Sequence, residues 1–271
     1  MKTKFLRLSA VAIVAIAILS ASFFFSCSDK EDDNYNSSVE RVHLSKSTSN
    51  PYYGYNPYDY VGYQHNVVLE KIKQKLIETY GTTNVEKETL YAVSIEELVE
   101  EGFYKNEMEA QLAIPFEFID SIVEDRDNLY INSINNSNLS LEAKELINNL
   151  FSDILELSET TEGYTEYRDV IINVENNIMS STLAENEKQV LLKSTSIARY
   201  SIYYWLRYYY IEANAKRPFW KYLAVGLADV AGGFAGGNVG TAISASALAT
   251  TLVDWNKKPD TPPVQDTVTS K

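Results

Sequence analysis

The chain has 271 residues, 45% of them hydrophobic and 12% aromatic, enough apolar material for one sizeable core and, once the ends are set aside, for one domain. Its 37 acidic residues outnumber its 24 basic ones, a formal net charge of −13, which argues against a nucleic-acid partner and against electrostatic attraction to anionic lipid. A single cysteine excludes an intramolecular disulfide, and two histidines leave little from which to build a zinc site or a histidine-based triad.

Lys2, Lys4 and Arg7 precede an apolar run over residues 8–25, the layout of a signal peptide spanning 1–26. Such a run approaches the length of a membrane helix, but Cys27 follows it directly. The "FFSC" at 24–27 resembles the lipobox of Bacteroidota lipoproteins, with Phe24 in place of the usual leucine. The stretch Ser28, Asp29, Lys30, Glu31, Asp32 and Asp33 resembles the acidic export signal that sends such lipoproteins to the cell surface. The resemblance implies a lipid (palmitate-bearing) anchor on Cys27 and residence at the outer membrane, facing the medium or alternatively the periplasm. Cleavage before Cys27 would remove three basic residues and no acidic one, leaving 21 against 37 and a net charge of −16. Residues 27–50, which include His43, then read as a disordered acidic, Ser-rich tether.

A folded domain is expected over 51–255. Its first stretch, "NPYYGYNPYDYVGYQHN" at 50–66, interleaves tyrosines with Pro, Gly and Asn too irregularly for a helix or strand, and predicts an ordered loop that Asn66 closes as a helix cap. Tyr52, Tyr53, Tyr55, Tyr58, Tyr60 and Tyr63 serve either core packing or contact with a protein or glycan partner, because tyrosine offers large amphipathic area at modest entropic cost. His65 sits in the same stretch, and nothing near it in sequence completes a catalytic set. In the next segment Val68, Ile72, Leu76 and Tyr80 recur every four residues and Gly81 supplies a stop, predicting a helix.

"TLYAV" at 89–93 is the one plausible strand, with nothing to pair with. Ser94 and Glu97 have capping-box spacing before "SIEELVEEGF", and the pairs Glu96/Glu97 and Glu100/Glu101 fall on what reads as a solvated helix face rather than a glycosidase dyad. Residues 105–127 predict one or two helices broken near Pro115. Ser140 opens a helix with Leu146, Leu150, Ile154 and Leu157 on one side, and another spans about 164–180. The strongest helix is expected from Thr182, spaced to Glu185 as in a capping box, to about 213. Its second half is apolar or aromatic nearly all round, which marks the centre of a bundle. Arg199 and Arg207 interrupt it, either as buried ion-pair partners or with their stems along the rings and their heads in water. Pro218 then marks a corner.

The last apolar segment carries small residues four apart: Ala224, Ala228, Gly232, Gly236, Gly240 and Ser244. Three interior glycines cost a helix roughly 3 kcal/mol relative to alanine, so something must approach this groove closely. Small-xxx-small rows most often serve helix pairing in membranes, yet Asp229 and the low hydrophobicity of an Ala/Gly/Ser stretch oppose insertion. Alternatively the paired glycines Gly232/Gly233 and Gly236/Gly237, with Asn238, form the turn of a helical hairpin with arms near 219–231 and 239–253. No Lys-Ser/Thr follows the glycines, so a phosphate cradle is disfavoured. Residues 256–271 carry three prolines and read as an exposed tail.

The sequence thus predicts an all-α, irregular multi-helix bundle with a central aromatic-rich helix and a Gly/Ala-rich C-terminal helix or helical hairpin. It offers no catalytic, metal or cofactor site. The expected role is a non-enzymatic binding module held at the membrane by its lipid. The competing role is a membrane-active or self-associating protein that uses 219–253. "DSI" at Ser121 and "DTV" at Thr267 match the Asp-Ser/Thr-apolar pattern of general O-glycosylation in Bacteroidota. "NPYDYVGYQHN", "SIARYSIYYW" and the glycine-rich end resemble helical exported Bacteroidota proteins, a resemblance that implies no particular activity.

Overall fold

A computed structural model describes residues 50–128, 130–161, 163–212, 219–253 and 255. The signal peptide with Cys27, the tether with its acidic stretch and His43, Pro218, and the tail with Thr267 lie outside the described residues.

Among the described residues there are ten α-helices and no strand: α1 (Asp59–Tyr80), α2 (Lys87–Glu100), α3 (Glu107–Ala113), α4 (Phe116–Glu124), α5 (Ile131–Asn135), α6 (Leu141–Thr160), α7 (Tyr164–Ser180), α8 (Glu185–Glu212), α9 (Phe219–Gly236) and α10 (Val239–Ala249). The expected all-α bundle is what forms. Side-chain oxygens of Asn106, Ser140 and Asn238 cap α3, α6 and α10 by accepting from Glu109, Ala143 and Thr241 backbone amides. Gly81 ends α1 in the left-handed conformation, as its position predicts. Pro115 separates α3 from α4.

Helix α8 is the axis. Between Leu191 and Tyr208 only Lys193, Tyr203 and Arg207 escape burial. Helices α1, α7 and α9 pack along it, and α10 lies on α9 with α2 and α4 against its other side. The glycine-rich end is a hairpin, but its turn is shorter than expected: Gly232 and Gly233 stay within the first arm, which runs to Gly236, Gly237 alone adopts φ 65°, and Asn238 caps the second arm. Its interior, 222–234 and 240–249, is wholly buried. The row of small residues is therefore not one groove. Ala228, Gly232 and Gly236 lie on one arm, and Gly240 and Ser244 on the other. A Cβ on Gly232 would meet Ala245 Cβ and the Thr241 carbonyl at 2.9 Å, and one on Gly236 would collide with the Thr241 side chain. The arms fill each other's groove, while a Cβ on Gly240 would meet the Tyr104 hydroxyl instead. Among the described residues no helix is long and apolar enough to cross a membrane.

Several local expectations are corrected. The tyrosine segment turns helical at Asp59, so Asn66 lies within α1, where its amide donates to the Tyr200 carbonyl at 2.8 Å instead of capping. Tyr80, on the repeat with Val68, Ile72 and Leu76, is exposed because α1 outruns the core there. "TLYAV" is the start of α2, and Ser94 is a mid-helix residue whose hydroxyl donates to the Tyr91 carbonyl. Helix α8 begins at Glu185, three residues after Thr182. On α6, Leu150 and Ile154 are buried with Ile147 and Phe151, whereas Leu146 and Leu157 sit at the edge of the stripe.

Candidate functional site

Three polar networks sit along α8 between Arg199 and Tyr208. The first is built on Arg199, a fully buried guanidinium. Its Nε donates to both Glu175 carboxylate oxygens at 3.1 Å, Nη2 to Asp59 Oδ1 at 2.6 Å, and Nη1 to the Pro51 carbonyl. Asp59 in turn accepts the Tyr53 amide at 3.0 Å and the Tyr200 hydroxyl at 2.9 Å. Asn56 donates to Glu175 at 2.7 Å and to the Leu192 carbonyl at 2.9 Å. Burial pushes the Glu175 carboxyl upward and Arg199 opposes it. For Arg199 burial acts downward, and Glu175 and Asp59 outweigh it. Close approach makes this possible: the Gly62 amide donates to Ser196 Oγ at 3.0 Å, and a Cβ on Gly62 would collide with the Ser196 carbonyl.

That network fixes the tyrosine segment from below. Arg168 on α7 adds bonds to the Asn50 carbonyl at 2.7 Å and the Tyr52 carbonyl at 3.2 Å, and the Tyr53 hydroxyl donates to Asn176 at 2.7 Å. The six tyrosines divide accordingly. Tyr53 is half-buried beside Arg199, and Tyr58 is half-buried with Lys193 Nζ 5.3 Å above its ring. Tyr52, Tyr55, Tyr60 and Tyr63 are exposed. Asp59 and Glu175 are absent from the residues that sequence reasoning singled out. Glu175 could have been found, because it occupies the inward stripe of α7 with Tyr164, Tyr167, Ile171 and Ile178.

The second network joins α1, α8 and the hairpin. His65 is fully buried in α1, not in a loop, with Nε2 3.7 Å from Asp229 Oδ2 and Nδ1 3.0 Å from Asn66 Oδ1. Ser201 Oγ donates to Asp229, and Trp205 Nε1 lies 3.3 Å from the same oxygen. Burial lowers His65 to about 4 and raises Asp229 to about 8, so both are uncharged between those values. Serine, histidine and aspartate meet here, but not as a hydrolase needs them. A nucleophile requires its hydroxyl on the histidine and a path for substrate; Ser201 donates to the aspartate, and all three side chains are sealed in the core. In the third network Tyr204 and Tyr208 share Glu70 at 2.7 and 3.2 Å, Lys73 donates to Tyr208 at 2.8 Å, and Trp255 donates to Tyr204 at 2.9 Å.

The remaining candidates stay apart. Lys75 lies 3.0 Å from Glu96 and 2.8 Å from Glu100, and Lys71 pairs with Glu101. Glu97 is buried rather than solvated, because α1 covers that side of α2. Of the two arginines, Arg199 is the ion-pair partner and Arg207 lies 5.9 Å from the Tyr203 ring. Ser121 is exposed on α4, with its hydroxyl donating to the Phe118 carbonyl. An open cleft of about 390 Å³ beside α6 is lined in part by Phe151, Leu155, Glu156 and Glu159. These two carboxylates stand one turn apart on one wall, whereas a glycosidase pair must flank the bond from opposite sides. No group of three or more His, Cys, Asp or Glu side chains that could hold a metal occurs among the described residues. Comparison with protein-family models, with curated proteins and with solved structures returns no match.

Proposed function

We propose that this protein is a lipid-anchored extracytoplasmic binding module that meets its partner through the tyrosines of 52–63. The supporting observation is the Arg199 network beneath them. Four exposed aromatic side chains are mounted on a backbone held by Arg199, Arg168, Asp59 and Asn56, so little ordering entropy remains to be lost on binding. The buried hairpin and its short second arm, 11 residues or about 17 Å against a hydrocarbon core of about 30 Å, favour this reading over a membrane-active one.

The anchor rests on the lipobox resemblance at Cys27, and the acidic stretch that follows supports display at the outer membrane, facing the medium. Two measurements test the proposal. Fatty-acid labelling in cells should mark the wild type and not Cys27→Ser. Hydrogen exchange of the full chain with and without an extract of the cell envelope should slow specifically over 52–63. An unlabelled wild type defeats the anchor, and unchanged exchange across 52–63 defeats the binding surface.

A further inference from the structure

The exposed part of 52–64 is uncharged. Tyr52, Gly54, Tyr55, Pro57, Tyr60, Tyr63 and Gln64 face solvent, while Asp59, the one ionisable acid of the stretch, is turned inward onto Arg199. In a chain with 61 charged residues out of 271, these exposed side chains are neutral, four aromatic rings with Pro57 and the Gln64 amide; charge enters only at the margin, where Lys193 lies over the half-buried Tyr58 ring and Arg168 holds the Asn50 and Tyr52 carbonyls, and this favours an uncharged partner. Tyr60 and Tyr63, three apart on α1, lie on one helix face.

Size separates the remaining partners. Tyr52, Tyr55, Tyr60 and Tyr63 are 56, 79, 55 and 56% exposed. That is about 500 Å² of open ring surface at about 200 Å² per tyrosine. A stable protein interface buries about 800 Å² on each side, so a protein docking here would have to spread well onto charged surroundings. A short run of sugars would not. Sugar rings present C–H faces that suit the negative face of an aromatic ring and hydroxyls that suit phenol and amide groups.

Resting on the binding-module reading above, we infer that the occupant of this patch is an uncharged oligosaccharide, stacked on Tyr52, Tyr55, Tyr60 and Tyr63. All four rings reach solvent, so each can be changed without opening the core.

The test is affinity electrophoresis of the full chain in native gels cast with amylose, dextran, galactan or arabinan, and with polygalacturonate as the acidic counterpart. At least one neutral polymer should retard the wild type, polygalacturonate should not, and Tyr60→Ser/Tyr63→Ser should weaken retardation at least tenfold. Tyr60→Phe/Tyr63→Phe should keep most of it, and Tyr80→Ser, an exposed tyrosine at the far end of α1, should leave it unchanged. Failure of every neutral polymer, or retardation by polygalacturonate alone, overturns the inference. Where 52–63 is nevertheless protected from exchange by an envelope extract, and the protection survives periodate but not protease, the binding module stands and its partner is a protein. Where neither polymer nor extract engages 52–63, both readings fall together.

Discussion

Asp229→Asn is expected to make the protein more stable, and increasingly so as the pH rises. Asp229 is fully buried, and burial carries its pKa from 3.8 up to about 8 against the opposing hydrogen bonds from Ser201 and Trp205. A carboxyl whose folded pKa lies above its unfolded value contributes in full below about pH 4, loses stability as pH rises, and levels off above about 8. His65 runs the other way. Burial lowers it from 6.5 to about 4, so its contribution is complete above 6.5 and is lost as pH falls toward 4. Between 4 and 6.5 the two slopes cancel. Between 6.5 and 8 Asp229 acts alone, over about 1.5 pH units, or about 2 kcal/mol at about 1.4 kcal/mol per unit. Asparagine has the same shape, its carbonyl can accept from Ser201 and Trp205, and it does not titrate. Urea denaturation followed by tryptophan fluorescence, at intervals from pH 4.5 to 8.5, should give a difference between variant and wild type that widens steadily up to about pH 8, by about 5 kcal/mol in all and about 2 kcal/mol of it above pH 6.5, because His65 titrates alike in both proteins and drops out of the difference. Parallel curves would refute the reasoning, because they would mean that Asp229 ionises in the folded protein as readily as in water.

Arg199→Ala should cost about 3–5 kcal/mol in urea denaturation, since it strands two buried carboxylates, and should speed limited proteolysis within 50–59, which Arg199 holds. Gly232→Ala should destabilise by about 1–3 kcal/mol, because its Cβ meets the backbone of the other arm. Gly226→Ala, whose nearest neighbour would be Ile202 at 3.4 Å, should be neutral or stabilising by up to about 1 kcal/mol. Equal losses at the two glycines would mean that the hairpin is not packed as described. Trp255→Ala removes a ring 5.9 Å from Trp205 and the donor to Tyr204, and should lower stability by about 3 kcal/mol in the same assay.

What the sequence disclosed follows the range of the forces involved. Helix α7 was legible at about its observed bounds, and the stops and starts at Gly81 and Ser140 were legible because capping acts within one turn. The hairpin was readable as one of two alternatives, since Gly237 and Asn238 permit a turn but only the facing Ala245 and Thr241 decide it. Long-range pairing was not readable. Pro, Gly and Asn in 50–58 suggested a loop through Asn66, and what draws residues 59–66 into α1 is Asp59 beneath Arg199, 140 positions away. The same distance hid the candidate site: Arg199 stood out, but its partners Asp59 and Glu175 come from two other elements.

Helix α8 explains why such partners exist. A helix apolar nearly all round buries almost equally well in several rotational settings, because apolar contact is non-directional. Hydrogen bonds and ion pairs are directional, and on α8 each network ties down a different neighbour. Arg199 fixes α7 and the tyrosine segment, Ser201 fixes the hairpin through Asp229, and Tyr204 and Tyr208 fix α1 and Trp255. Moving α8 by one residue, about 100° of rotation, would leave all three sets of partners buried and unmatched. The buried polar networks thus set the register of the bundle, and the tyrosine surface inherits its rigidity from that register.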